Sequence, residues 1–330
     1  MQADFVRACV AGLACALAFG GVQPAIAQEW PSRPIRMIVP FGQGGVPDTV
    51  LTVTRTAIEA RLGQRLVIDY RPGAGGNVGM QALQQSPADG YTFAVVPSNT
   101  MVINQFLYAG MAFDPLKEFA AVSLLIDVPL VLSVSAKHPV QSLREFVEHS
   151  KNNPGKINYG SPGAATPPHL AVELMARSTG INVVHIPYKG GNAAATALVA
   201  NEVQFMLIAH ASLRGQIDGG LVRPLAVAAS RRLTGLPAVP TFAEAGYETL
   251  QREMPRSWWG LVARQGTPEA MIQRMAAEFR QALMAPDADR RLRDAGLVPA
   301  GSTPAEFAAQ LPDEARHWGV LVKAIGLKLE

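Results

Sequence analysis

The chain has 330 residues, 48% hydrophobic and 17% charged, with a formal net charge of +3. That composition can bury a sizeable core and excludes an intrinsically disordered protein. The charge is too small for a nucleic-acid binder. The one dense basic spot, Arg231-Arg232, has no interleaved aromatics and reads as a solvated turn.

Residues 1–27 read as an export signal. Arg7 supplies the positive end, ACVAGLACALAFGG the apolar stretch, and Ala25-Ile26-Ala27 a small-x-small cleavage site. Both cysteines, Cys9 and Cys15, lie in this segment. The mature chain from Gln28 onward is therefore expected to lack disulfides, thiolate nucleophiles and cysteine metal sites. Gly12 stands where lipid attachment at Cys15 would want leucine, so cleavage after Ala27 and a periplasmic protein are expected. No later segment is long and apolar enough to cross a bilayer.

Strand-like runs then alternate with helical patterns. IRMIVPF leads to a helix over 48–62, RLVIDY to a helix from Asn77, and YTFAVVP to the polar stretch Ser98-Asn99-Thr100. Further strands are PLVLSVSA, INYGS, NVVHIPY, VQFMLIA and RPLAVAA, with helices over 168–178 and 191–200. The C-terminal third is mostly helical, over 268–284, 287–295 and 304–325. Short apolar runs alternating with helices predict an α/β protein with mostly parallel sheets covered on both faces. The chain is expected to pass between two lobes near Asp127 and again near Ser257. This makes lobe 1 discontinuous (28–127 plus 256–330) and lobe 2 continuous (128–255).

In open α/β sheets, ligands gather beyond the carboxyl ends of strands, where helix N-termini favour anions. VPFGQGGVPD, from Val39, has this form: a strand, then Phe41, Gly42, Gln43, Gly44 and Gly45, then Pro47 and Asp48 in a first helical turn. INYGSPGAATPPHL repeats the design with Ser161, Pro162, Gly163, Ala164, Thr166 as N-cap, and His169. Two such loops, one per lobe, would grip a carboxylate, with Ser98, Asn99 and Thr100 adding polar groups. Asp48 and His169 also have plain roles as a capping acid and a packing group, and Lys189 reads as a solvated loop lysine. Trp258 and Trp259 are expected to pack at the second crossing.

With these loops in place, WPSRPIRMIVPF, RPGAGGNVG, DGYTF, NPGKINYGSPG, HIPYKGG, AVPTFAEAGY and SWWGLVA follow one another in the order of a known family. The chain resembles the Bug (TctC-like) receptors of tripartite tricarboxylate transporters, over essentially the whole mature length. The resemblance implies a two-lobed type II periplasmic-binding (Venus flytrap) fold, closing on a small carboxylate and passing it to a membrane permease. It implies no enzyme activity and no cofactor, and it places the ligand between the loops at 41–48 and 161–169. A monomer is expected.

The sequence departs from the family pattern at Gly42-Gln43, where two prolines are usual, and at Val46-Pro47, where a hydroxyl residue is usual. After VQFMLIA, Ala209 and His210 stand where acidic or polar residues are common. His210 is expected to reach the distal end of the ligand and to take up a proton beside a second carboxylate.

Two enzyme readings compete. PGAGGNVG resembles a dinucleotide fingerprint, but Arg71-Pro72 interrupts the turn and no acid follows a second strand. Ser161 lies in GSPG rather than Gly-x-Ser-x-Gly, which disfavours a serine hydrolase. No His-x-x-x-His pair supports a metal site.

Overall fold

The apolar runs assemble into two separate sheets in a computed structural model that describes residues 30–164, 166–254 and 256–326. The expected leader, 1–27, lies outside the described residues. The chain divides into two units, Met1–Ser32 and Arg33–Glu330, and both sheets lie in the second.

β1 (Ile35–Val39), β2 (Leu66–Tyr70), β3 (Thr92–Pro97) and β4 (Phe119–Asp127) belong to the first sheet. β5 (Leu130–Ser135), β6 (Ile157–Ser161), β7 (Val183–Pro187), β8 (Phe205–Ala209) and β9 (Val222–Ala228) form the second. β10 (Trp258–Arg264) and β11 (Val298–Pro299) return to the first. The orders are β11-β4-β10-β3-β1-β2 and β7-β6-β8-β5-β9. The longer helices between them are α1 (Val46–Leu62), α2 (Asn77–Gln84), α3 (Leu143–Asn152), α4 (Pro167–Thr179), α5 (Gly191–Ala200), α6 (His210–Asp218), α7 (Glu269–Leu283), α8 (Pro286–Asp294) and α9 (Pro304–Ile325). Together the sheets and helices give the expected α/β, two-lobed architecture.

Eight of the eleven strands among the described residues keep the expected common direction within their sheets, β11 pairs antiparallel with the end of β4, and the other two exceptions have one cause. β1 is parallel to β2 and β3, and β6 is parallel to β7 and β8. β10 runs antiparallel to β3 and β4, and β5 antiparallel to β8 and β9. A strand arriving from the other sheet enters at the edge where that sheet's own strands finish, so it must run against them. β5 and β10 are those arriving strands. Consequently β1, β3 and β4 end at the same junction as β6, β8 and β9. The crossings touch there: the Val128 amide donates to the Ser257 carbonyl at 2.7 Å.

Helix ends follow their caps. α1 begins at Val46, two residues before its expected start, because Gly45 takes the N-cap position and Pro47 fits the first turn. Thr303 and Glu306 close a reciprocal capping box on α9: the Glu306 amide donates to Thr303 Oγ1 at 3.2 Å, and the Thr303 amide to Glu306 Oε2 at 2.8 Å. α7 is clamped to α1 through Glu278, which is buried and accepts from Arg61 and from Arg274. That clamp returns the C-terminal helices to the first sheet.

Candidate functional site

The first loop is held by its own acid. The amides of Gly44 and Gly45 donate to Asp48 Oδ2 at 2.8 and 3.2 Å, and the Tyr70 hydroxyl donates to Asp48 Oδ1. Asp48 thus fills the capping role, and those two amides are already engaged. Gly42, Gln43, Gly44 and Gly45 are exposed, and Gly44 has φ +87°, where a side chain is disfavoured. Phe41 lies half-buried, edge-on to Trp259 with ring centres 5.8 Å apart.

The stretch after β3 turns inward. Asn99 Nδ2 donates to the Gly75 carbonyl at 2.7 Å and to Asn104 Oδ1 at 3.1 Å, and Thr100 Oγ1 donates to the Pro97 carbonyl at 2.9 Å. Ser98 Oγ is fully buried with no hydrogen-bond partner among the described residues. The glycine-rich loop beside it serves close packing: a Cβ on Gly79 would lie 2.6 Å from the Pro40 ring, and one on Gly76 would lie 2.6 Å from Thr100. These contacts seat α2 against β1, which accounts for the glycines without a nucleotide.

The second loop is also internally bonded. Ser161 Oγ lies 2.6 Å from His185 Nε2 and donates to the Gly163 carbonyl at 2.9 Å. Thr166 occupies the N-cap position, but its hydroxyl donates back to Gly163 O at 2.8 Å. The reason is local: Pro167 and Pro168 carry no N–H, so the first turn of α4 has fewer amides to cap. Pro162, Gly163 and Ala164 remain partly exposed, and Gly163 has φ +149°.

His169, in that same first turn, is buried and stacks on His185 with ring centres 3.9 Å apart; Tyr159 stacks on His185 at 4.8 Å. The Ser161–His185 contact is the pairing a hydrolase would need. Ser161 is fully buried, however, and no carboxylate is bonded to His185 among the described residues. The pair fixes the loop.

Burial holds the pKa of His169 down at about 3, with the charge of His185 as second cause, and burial holds His185 at about 4. Both are neutral in the folded protein near pH 7. Their contribution to stability is complete above the ordinary value of 6.5 and is lost as pH falls from there towards 4. Thermal melts from about pH 7 down to about pH 4.5 are therefore expected to show a progressive loss of stability. His185→Gln, which keeps an acceptor for Ser161, should flatten that loss; an unchanged profile would remove the imidazole stack as its source.

β8 ends at Ala209, as expected, and His210 opens α6. The His210 side chain is nevertheless closed off from solvent. It is 2% exposed and packs against the turn between α8 and β11, where a Cβ on Gly296 would fall 2.2 Å from His210 Nδ1. Neither ring nitrogen has a hydrogen-bond partner among the described residues. Burial, followed by the charge of Arg214, lowers its pKa, with Asp218 opposing. These are the surroundings of a neutral packing histidine, opposite in sign to the cation that the sequence leads one to expect.

One group is missing from the expected set. A Cβ on Gly44 would lie 3.7 Å from Asn192 Nδ2, so the first-sheet loop approaches the N-terminus of α5 in the second-sheet lobe. Asn192 follows Gly190-Gly191 after β7, and it repeats the strand, glycine and helix sequence of the other two loops. That repetition is the signal by which the sequence could have revealed it. Lys189, next to it, is exposed, as a solvated loop lysine would be. No cluster of His, Cys, Asp and Glu suited to a metal ion occurs among the described residues, and no described helix is long and apolar enough to cross a membrane.

Two lobes joined at the strand ends, with loop-to-helix junctions on both sides of the join, define a periplasmic-binding-protein fold, a scaffold of solute receptors. The chain belongs to the TctC family, the tripartite tricarboxylate transporter family receptors, whose profile matches residues 50–327. BugT of Bordetella pertussis is 32% identical over 312 residues, covering 94% of this chain and 95% of its own. A solved structure of Rpa4515 from R. palustris with adipate superposes with a TM-score of 0.85 at 29% identity, covering 91% of this chain and 99% of that one. The periplasmic binding protein BugD superposes with a TM-score of 0.83 at 27% identity, covering 91% and 100%. The chain is therefore a solute-binding protein and not an enzyme.

Proposed function

We propose that the protein captures a small organic carboxylate between its two lobes and hands it to the membrane permease of a tripartite tricarboxylate transporter-type system. It does so as a periplasmic monomer, cleaved after Ala27, with lobe 1 made of 28–127 plus 256–330 and lobe 2 of 128–255. The observation that carries this reading is the approach of the Gly44 loop to Asn192 across the junction where both sets of strands end. Exposed backbone at Gly42 to Gly45 and the partly exposed loop from Pro162 to Ala164 together supply polar groups from both lobes. The bound adipate in the R. palustris relative supports a dicarboxylate of similar length.

Because Asp48 already holds the Gly44 and Gly45 amides, the carboxylate meets the first loop through Gly42, Gln43 and bridging water. Phe41 supplies a wall, and the buried Ser98, Asn99, Thr100, Ser161, Thr166, His169, Ala209 and His210 hold the loops in place behind it.

A thermal-shift screen over mono-, di- and tricarboxylates tests the proposal. A ligand at a hundredfold excess over its dissociation constant adds about 2.7 kcal/mol of apparent stability. At least one carboxylate is expected to reach that, whereas nucleotides should not. A library without a single stabilising carboxylate would overturn the reading.

A further inference from the structure

A second concavity lies away from this cradle. It encloses about 520 Å³ at the hinge, against both crossings (Val128, Pro129, Arg256 and Ser257), the loop after β9, and the turn before β11. None of the loop residues assigned above to the carboxylate lines it. Among the described residues that do, five are arginines, Arg231, Arg232, Arg252, Arg256 and Arg293, against a single acid, Asp127.

Three of the five are already paired: Arg256 with Asp127 at 2.5 Å, Arg232 with Glu244 at 2.8 Å and Arg293 with Asp289 at 2.8 Å. Arg231 and Arg252 have no carboxylate partner among the described residues. Two uncompensated guanidinium groups on one concave wall leave an excess of two positive charges. The basic pair that reads as a solvated turn in the sequence is thus one wall of a cavity.

We propose that this hinge cavity is a second, anion-selective site that takes a small oxyanion bearing at least two negative charges. The volume falls in the range of small-molecule sites and is too small for a folded partner. The planar guanidinium fork matches phosphate or carboxylate oxygens in paired hydrogen bonds. The walls come from both lobes, with Arg293 on the first-sheet side and Arg231 and Arg252 on the second, so the anion would bridge them at the hinge.

The test is calorimetric titration with pyrophosphate in a low-salt buffer free of phosphate and carboxylate. One saturable site is expected, weakened at least about tenfold in the double variant Arg231→Ala/Arg252→Ala, which alters only exposed side chains. The affinity should be unchanged in Gly44→Val. Citrate run in parallel against the same double variant tells carboxylate from phosphoryl ligands, since only the preferred class shows the larger loss. Absence of saturable binding by either anion, equal affinity in the double variant, or loss of binding in Gly44→Val would overturn the site.

Discussion

Gly44→Val is expected to weaken carboxylate binding by about a hundredfold or more, near 2.7 kcal/mol, while the far-ultraviolet circular dichroism stays native. Two physical effects act together. The backbone at Gly44 has φ +87°, where a β-branched residue is strained by about 1–3 kcal/mol and would pull the loop out of shape. The new side chain would also grow towards Asn192 Nδ2, which a Cβ alone approaches to 3.7 Å, and would occupy the gap where the lobes meet. The loop is exposed, so the core is untouched and the protein should still fold. Gly163→Val tests the opposite wall, where φ is +149° and the nearest atoms to a Cβ lie at 3.8 Å. Calorimetry on both variants decides the matter; native affinity in both would move the carboxylate elsewhere.

Trp258→Ala should produce the largest loss of stability. Trp258 is fully buried at the start of β10, packs edge-on against Phe307 at 5.1 Å, and donates its indole N–H to Glu314 Oε2 at 2.5 Å. Truncation leaves a cavity that costs about 3–5 kcal/mol. It also strips a donor from Glu314, a half-buried carboxylate whose pKa burial already raises. For a chain of this size the loss corresponds to a melting temperature lower by about 5–8 °C, read by scanning calorimetry. Trp258→Phe, which fills most of the space but cannot donate, should lose only about 1–2 kcal/mol. If the two variants melted together, the indole hydrogen bond would matter more here than the packing of the ring.

Much of the architecture is legible in the sequence because burial sets it. FMLIA in β8 and TFAVVP in β3 are buried at every position, and such continuous apolar runs announce central strands whatever their direction. Strand direction is less legible. β5 and β10 look like any other apolar strand, and their reversal follows from which edge the chain enters, a property of topology and not of local pattern. At the site, the glycines, prolines and helix starts are readable, since φ preferences and missing amides are local. The destinations of the side chains are not. Ser161, Asn99 and Thr100 promise donors to a ligand, yet each is bonded within the protein through partners as distant as Gly75 and His185. His210 shows the limit best: its place at the end of β8 follows from local pattern, while the Gly296 turn that buries it comes from 86 residues further along.

The place of β10 in the first sheet also bears on how the chain reaches its fold. It lies between β3 and β4, which have no other link across the middle of that sheet. Synthesis proceeds from the N-terminus, so β1 to β4 exist as two unjoined pieces with open edges until Trp258–Arg264 has been made. The second sheet has no such gap, because all its strands fall between Leu130 and Ala228 and can pair as soon as they emerge. The middle of the chain can therefore mature ahead of its beginning, and the first sheet closes late, on contacts of long sequence separation that are slow to form. Until then its unpaired strand edges are the part of the nascent protein most exposed to wrong pairing, which makes the last quarter of the chain the guard of the first.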